Sequence, residues 1–272
     1  MKKRFIILID FSDQSENIIK YAYDMSLYTK AELFFIHQTS FLVPSFSDTD
    51  SKRDIIKEKN AESLKRLKEL VKKYIVDISS VNFHTSEIDI KQTINKLLEQ
   101  PYEHIIFTGT KRSSKLKRLF IGSKAVQVID AINNIVLAIP KMLRSFNHQK
   151  ILIGVSEIHP INILELNKYL SIVEHKKIEI TFFSIVKPGE NTSNIYKLLN
   201  NLVELFAEKF NTNTIIFEGT NPIANIRSII KSDGTEVLVV QKGSRLMYDK
   251  IFRKYLINEL VYEGKIPMVV LP

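Results

Sequence analysis

Short apolar runs alternate with helically spaced apolar positions along this chain, and the alternation occurs twice. In the first half Phe5-Ile6-Ile7-Leu8-Ile9 ends in Asp10, Leu33-Phe34-Phe35-Ile36 in His37, Ile105-Ile106-Phe107 in Thr108-Gly109, and Ile135-Val136-Leu137-Ala138-Ile139 in Pro140. Unbroken apolar runs of this length read as strands buried on both faces. Between them, Ile18, Ile19, Ala22, Met25 and Leu27, then Ile55, Ile56, Leu64, Leu67, Leu70, Val71 and Tyr74, then Ile90, Ile94, Leu97 and Leu98 recur at helical spacing. Val76 to Phe83 reads as a weaker strand that completes the set. Strands alternating with helices imply parallel strands joined by right-handed crossovers, and so an open α/β sheet.

Residues 141–149 are polar, and beyond them the pattern restarts with Ile151-Leu152-Ile153-Gly154-Val155. It closes with Ile266-Pro267-Met268-Val269-Val270-Leu271-Pro272, so that Pro140 and Pro272 end equivalent strands, and Glu103-His104-Ile105-Ile106 reads against Glu236-Val237-Leu238-Val239. A repeat this long is a duplicated domain rather than a solenoid. The division expected is a first domain over 1–140, a linker over 141–149 and a second domain over 150–272.

Sheets of this kind bind ligands beyond the carboxyl ends of their strands, where the strand order reverses. The first and fourth strands end at Asp10 and Gly109. Between Gly109 and the helical pattern that starts at Ala125 lies Thr110-Lys111-Arg112-Ser113-Ser114-Lys115-Leu116-Lys117-Arg118-Leu119-Phe120-Ile121-Gly122-Ser123. A strand, a polar loop with spaced glycines and a helix start form a device for holding phosphate, because glycine lets the backbone approach and helix N–H groups point at the anion. A basic surface loop is the alternative reading.

Composition narrows the chemistry. The 272 residues include no cysteine, which excludes disulfides, thiolate metal sites and cysteine nucleophiles and fits a reducing, cytoplasmic setting. The six histidines show no paired metal-ligand spacing. Neither a Walker P-loop nor a G-x-S-x-G nucleophile elbow is present, and no general base is evident. No apolar run approaches the roughly 18 residues of a membrane span. The run after Met1-Lys2-Lys3-Arg4 is broken by Asp10 with no cleavage site behind it, so a first strand is expected rather than a signal peptide. The net charge of +9 is shared between the halves and reads as a solvated surface, and Phe34, Phe35, Phe182 and Phe183 read as buried strand residues rather than base-stacking platforms.

Three stretches of the first half, taken in order, resemble the universal stress protein family: Ile6-Ile7-Leu8-Ile9-Asp10-Phe11-Ser12-Asp13-Gln14-Ser15, Ala31-Glu32-Leu33 with its strand ending at His37, and Gly109-x-x-Arg112 followed by nine residues and Gly122-Ser123. The family's motif is G-x-x-G, nine residues, then G-[S/T]; here the second glycine is Arg112. The resemblance implies two tandem open parallel five-stranded sheets flanked by helices, adenine nucleotide alpha hydrolase-like and Rossmann-like, packed as a pseudo-dimer through antiparallel terminal strands. It also implies a stress-response signalling or regulatory module that binds ATP or another adenine nucleotide, with Mg2+, in the first half. Any catalysis would be slow ATP hydrolysis or self-phosphorylation. By the same resemblance Asp10 contacts the nucleoside, the backbone near Gln38 reaches the adenine, and Thr108, Gly109, Lys111, Arg112, Gly122, Ser123 and Lys124 hold ribose and phosphates. Arg112 either crowds the phosphates or pairs with one of them. The second half departs further: its first strand ends Gly154-Val155-Ser156 without an acid, and it is expected to serve as a structural partner. Two other readings stand beside this one: a nucleotide-free interaction protein of the same fold, with Arg112 filling the phosphate site, and a binder of another anionic small molecule at the domain interface. Pairing of the two halves within the chain, or of two chains in a homodimer, is the expected assembly.

Overall fold

The computed structural model describes residues 1–41, 48–110, 124–141, 143, 146–174, 177–219, 222–242 and 266–272. The helix expected around Tyr255 to Tyr262 and the loop 111–123 lie outside these residues. The chain forms two compact units, Met1–Gly109 with Arg144–Phe146, and Thr110–Leu143 with Asn147–Pro272. These units follow packing, whereas the division at 140 follows the repeat.

The first unit runs β1 (Lys2–Leu8), α1 (Ser15–Thr29), β2 (Glu32–Gln38), α2 (Thr49–Lys72), β3 (Asn82–Ser86), α3 (Ile90–Leu98) and β4 (Tyr102–Gly109). All its strands are parallel, in the order β3-β2-β1-β4. Phe5, Ile6 and Ile7 in β1 are all fully buried. Successive strand side chains point to opposite faces, so both faces of this sheet are covered. Phe5 packs on Phe107 across the β1–β4 pair at 4.9 Å between ring centroids. Each such ring contributes about 1.5–3 kcal/mol by leaving water.

Side-chain caps mark where two of these helices begin. Asp48 accepts from the backbone N–H of Ser51 (2.8 Å) ahead of α2, and Asp89 from that of Lys91 (2.9 Å) ahead of α3. One element begins later than the sequence suggests. The strand expected over Val76 to Phe83 is β3 at Asn82–Ser86, and Val76 is 99% exposed. Ile75 is the last buried residue after α2, and the chain then turns before pairing Phe83 with Phe35.

The second unit contains α4 (Lys124–Ala131), β5 (Val136–Ile139), β6 (Lys150–Gly154), α5 (Ile163–Val173), β7 (Glu179–Val186), α6 (Ser193–Phe206), β8 (Asn211–Glu218), α7 (Pro222–Asp233), β9 (Val237–Gln241) and β10 (Met268–Leu271). Its order is β5-β10-β9-β6-β7-β8. Val136, Leu137 and Ala138 pair antiparallel with Val270, Val269 and Met268, which is the expected meeting of the terminal strands. The remaining pairs are parallel.

The register corrects one detail of the repeat. Ile105 pairs with Phe5 and Val237 with Ile151, each the corresponding position of the first strand of its repeat, so Ile105 matches Val237 and not Leu238. Accordingly Thr110 N–H donates to Ile139 O (3.0 Å) and Lys242 N–H to Leu271 O (2.7 Å).

Within this unit Glu236 holds the incoming chain, accepting from the Asn147 side chain and from the backbone N–H groups of Gln149 (2.8 Å) and Lys150 (3.1 Å). Beside it, fully buried His148 lies 2.7 Å through Nδ1 from the Tyr169 hydroxyl. Burial holds that phenol well above its ordinary range. Among the described residues no helix is long and apolar enough to cross a membrane.

Candidate functional site

In the first unit the strand order reverses at β1, whose neighbours are β2 on one side and β4 on the other. Ile7 pairs with Phe107 and Leu8 with Ile36, so the carboxyl ends of the three strands finish on one edge. Asp10 follows β1, Gln38 ends β2, and Thr108 and Gly109 end β4. The structure therefore gathers these four expected residues on one sheet edge. Lys111, Arg112, Gly122 and Ser123 lie outside the described residues, and Lys124 begins α4 with its side chain also outside them.

Asp10 shapes its own turn. Its Oδ1 accepts from Ser12 N–H (3.0 Å) and from the Ser12 hydroxyl (2.5 Å), an Asx-type turn between β1 and α1. Thr108 is buried and Gly109 half-buried. A Cβ on Gly109 would meet Ile18 Cδ1 at 2.7 Å and Gln14 Oε1 at 2.8 Å. The absence of a side chain at Gly109 thus lets α1 pack against the end of β4.

Beside Asp10 stands a group that sequence reasoning missed. Phe11 has φ of +55°, a left-handed conformation that costs a bulky residue about 1–3 kcal/mol. Its ring packs against His37 at 4.2 Å between centroids with the planes tilted by 45°, and the Arg66 guanidinium sits 4.2 Å from its centroid. His37 Nδ1 is in turn 2.8 Å from Ile9 O. Phe11 and His37 are both near motif positions, but nothing in spacing links them to Arg66, in the later part of α2. Two hydroxyls near this edge, on Ser15 and Thr39, are buried without a hydrogen-bond partner. Phe11, Ser12, Ser15, Arg66, Glu69 and Lys73 contribute to the wall of a neighbouring cavity of about 350 Å³.

The matching edge of the second unit is built differently. Ile9 N–H donates to Ile36 O (2.9 Å) and Val155 N–H to Phe183 O (2.8 Å), so Ser156 stands where Asp10 does. Gln241 stands where Gly109 does. Its Oε1 accepts from Asn162 N–H (2.8 Å), and its Nε2 donates to Pro272 O. Lys242 Nζ donates to Ile132 O (2.8 Å), beyond the end of α4. A carboxylate is absent at the first position, and a hydrogen-bonded amide side chain occupies the second. Among the described residues of the whole chain, no cluster of three or more His, Asp or Glu could hold a metal ion.

The Universal stress protein family model matches residues 1–140. No curated protein sequence matches the chain. Among solved structures, a universal stress protein from Archaeoglobus fulgidus aligns at 16% identity and a TM-score of 0.67, covering 99% of this chain and 96% of its own. A protein of unknown function from Pseudomonas aeruginosa aligns at 15% identity and 0.53, covering 99% and 92%. A putative universal stress protein from the same species aligns at 14% and 0.52, covering 99% and 93%. At these identities the structural likeness establishes the fold.

Proposed function

The chain belongs to the universal stress protein family, and on that premise we propose that it is a regulatory stress-response module whose first half binds an adenine nucleotide. The observation that carries this reading is the convergence of Asp10, Gln38, Thr108 and Gly109 on the edge where strand order reverses. An Asp carboxylate suits ribose hydroxyls, and the backbone at Gln38 can address the base. Lys111, Arg112, Gly122 and Ser123 supply the basic and helix-start chemistry suited to phosphates. Mg2+ fits here only as a partner of those phosphates, since the described residues form no metal cage of their own. The second half, with Ser156 and Gln241 at the corresponding positions, acts as a structural partner. Equilibrium dialysis against ATP with Mg2+ tests the proposal. Saturation at one nucleotide per chain supports it, and failure to saturate at millimolar ATP contradicts it.

A nucleotide-free interaction role is the second reading, and two observations favour it. Gly109 is accounted for by the close approach of Ile18 and Gln14, and Asp10 by its turn with Ser12. In that reading Arg112 occupies the phosphate position itself.

A further inference from the structure

We propose that the outer edge of β8 is a self-association surface, on which β8 of a second copy of this chain pairs antiparallel and extends the sheet of the second unit. The inference is independent of nucleotide binding.

β8 is the edge strand of this unit, and among the described residues no strand pairs with its outer side. Its other side pairs with β7 without interruption, from Glu179↔Asn211 to Val186↔Glu218. It is therefore a regular strand with no bulge in its register. Proteins usually protect such an edge with lysine, proline, a bulge or a very short strand. The sequence Asn211-Thr212-Asn213-Thr214-Ile215-Ile216-Phe217-Glu218 contains no lysine, arginine or proline, and its residues from Thr214 to Phe217 are strong strand formers. The edge strand of the first unit, β3, spans only five residues.

Burial points the same way. In β7 every residue from Ile180 to Val186 is buried. In β8 Ile215, Ile216 and Phe217 are only half-buried, although α6 packs on the strand. A strand added outside β8 would give these three residues the environment that β7 already has, and would pair the open N–H and C=O groups of the edge.

Charge and symmetry choose the occupant. The strand's own charge is Glu218 at its carboxyl end, and exposed Lys209 precedes its amino end. Parallel addition of a second copy would set Glu218 against Glu218. Antiparallel addition about a two-fold axis near Thr214 separates the two carboxylates by the strand's length and turns each toward the Lys209 end of the other copy. The terminal-strand edge of this unit, by contrast, is already satisfied inside the chain by β5 and β10.

Sedimentation velocity of the full chain over a concentration series tests this, with Asn213→Lys/Thr214→Lys as the variant. Both substitutions fall near the proposed axis, where four like charges would meet. The expected result is a concentration-dependent monomer–dimer equilibrium in the wild type, weakened at least tenfold in the variant with its circular dichroism unchanged. Because the chain has no cysteine, Thr214→Cys gives a second readout. It should cross-link into a disulfide dimer under mild oxidation faster than Ser171→Cys, placed on α5. A wild type that stays monomeric at about 200 µM, so that any Kd lies in the millimolar range or weaker, overturns the proposal. So does a dimer indifferent to the lysines, or cross-linking no faster at Thr214 than at Ser171.

Discussion

Ile18 Cδ1 stands 2.7 Å from where a Cβ on Gly109 would lie. The terminal methyl of one α1 residue thus takes the space that any side chain at the end of β4 would need. Both partners at this contact, Ile18 and Gln14, are buried, so neither can swing into solvent to make room. Gly109→Ala is expected to lower stability by about 1–3 kcal/mol, the usual cost of overpacking. Ile18→Val removes the Cδ1 atom, so Gly109→Ala should cost less in that background. Denaturant unfolding of the four proteins of this double-mutant cycle measures the coupling. Additive effects would show that the methyl does not set the requirement for glycine.

A second prediction concerns the end of the linker. Tyr169 and His148 are both fully buried and share one hydrogen bond of 2.7 Å. Tyr169→Phe keeps the ring and removes the hydroxyl, depriving the buried imidazole of that partner. The expected loss is about 1–2 kcal/mol, read as a Tm lower by roughly 3–6 °C in a chain of this size. An unchanged Tm would mean that the imidazole satisfies Nδ1 equally well without the phenol.

The dependence of stability on pH follows from several carboxylates held below their ordinary range. The Ser51 backbone N–H does this for Asp48, the Ser79 backbone N–H for Asp77, the Asn60 side chain for Glu87, and the Lys59 side chain for Glu62. An acid whose folded pKa is depressed stabilises the fold above its unfolded pKa, and that contribution is lost as pH falls through the folded value. Stability should therefore hold near neutrality and decline in acid, beginning around the ordinary carboxylate pKa of about 4. Asp48→Asn preserves a capping oxygen without the charge, so its stability should decline less steeply in acid than the wild type's. Urea unfolding from pH 7 to 3 checks this, and identical slopes for the two proteins would remove Asp48 from the account.

The repeated strand–helix pattern was legible because Phe5-Ile6-Ile7 and Val237-Leu238-Val239 belong to strands buried on both faces, where apolarity is continuous. The edge strand β3 was misplaced for the opposite reason. Asn82-Phe83-His84-Thr85-Ser86 is largely polar because it lies at the edge, whereas Val76 and Ile78 look strand-like but belong to the preceding turn. Asp10, Gln38 and Gly109 were legible as strand-end positions, because sequence marks where the apolar runs stop. The cluster of His37, Phe11 and Arg66 was not, because it depends on where the later part of α2 passes in space and on a φ of +55° at a phenylalanine. Gly109 shows the further limit of a motif. Its spacing suggests close approach to a phosphate and says nothing of Ile18 in α1 and Gln14 just before it, which a Cβ there would meet.

The central claim, an adenine nucleotide site at the end of β1 and β4, is tested most directly by calorimetric titration of ATP with Mg2+ into the wild type, Asp10→Ala and Arg112→Gly proteins. The account predicts saturable one-site binding to the wild type and at least tenfold weaker binding to Asp10→Ala with its far-ultraviolet circular dichroism retained. No binding to the wild type at millimolar ATP, together with a gain of binding in Arg112→Gly, would contradict it and leave the arginine as the occupant of the phosphate position.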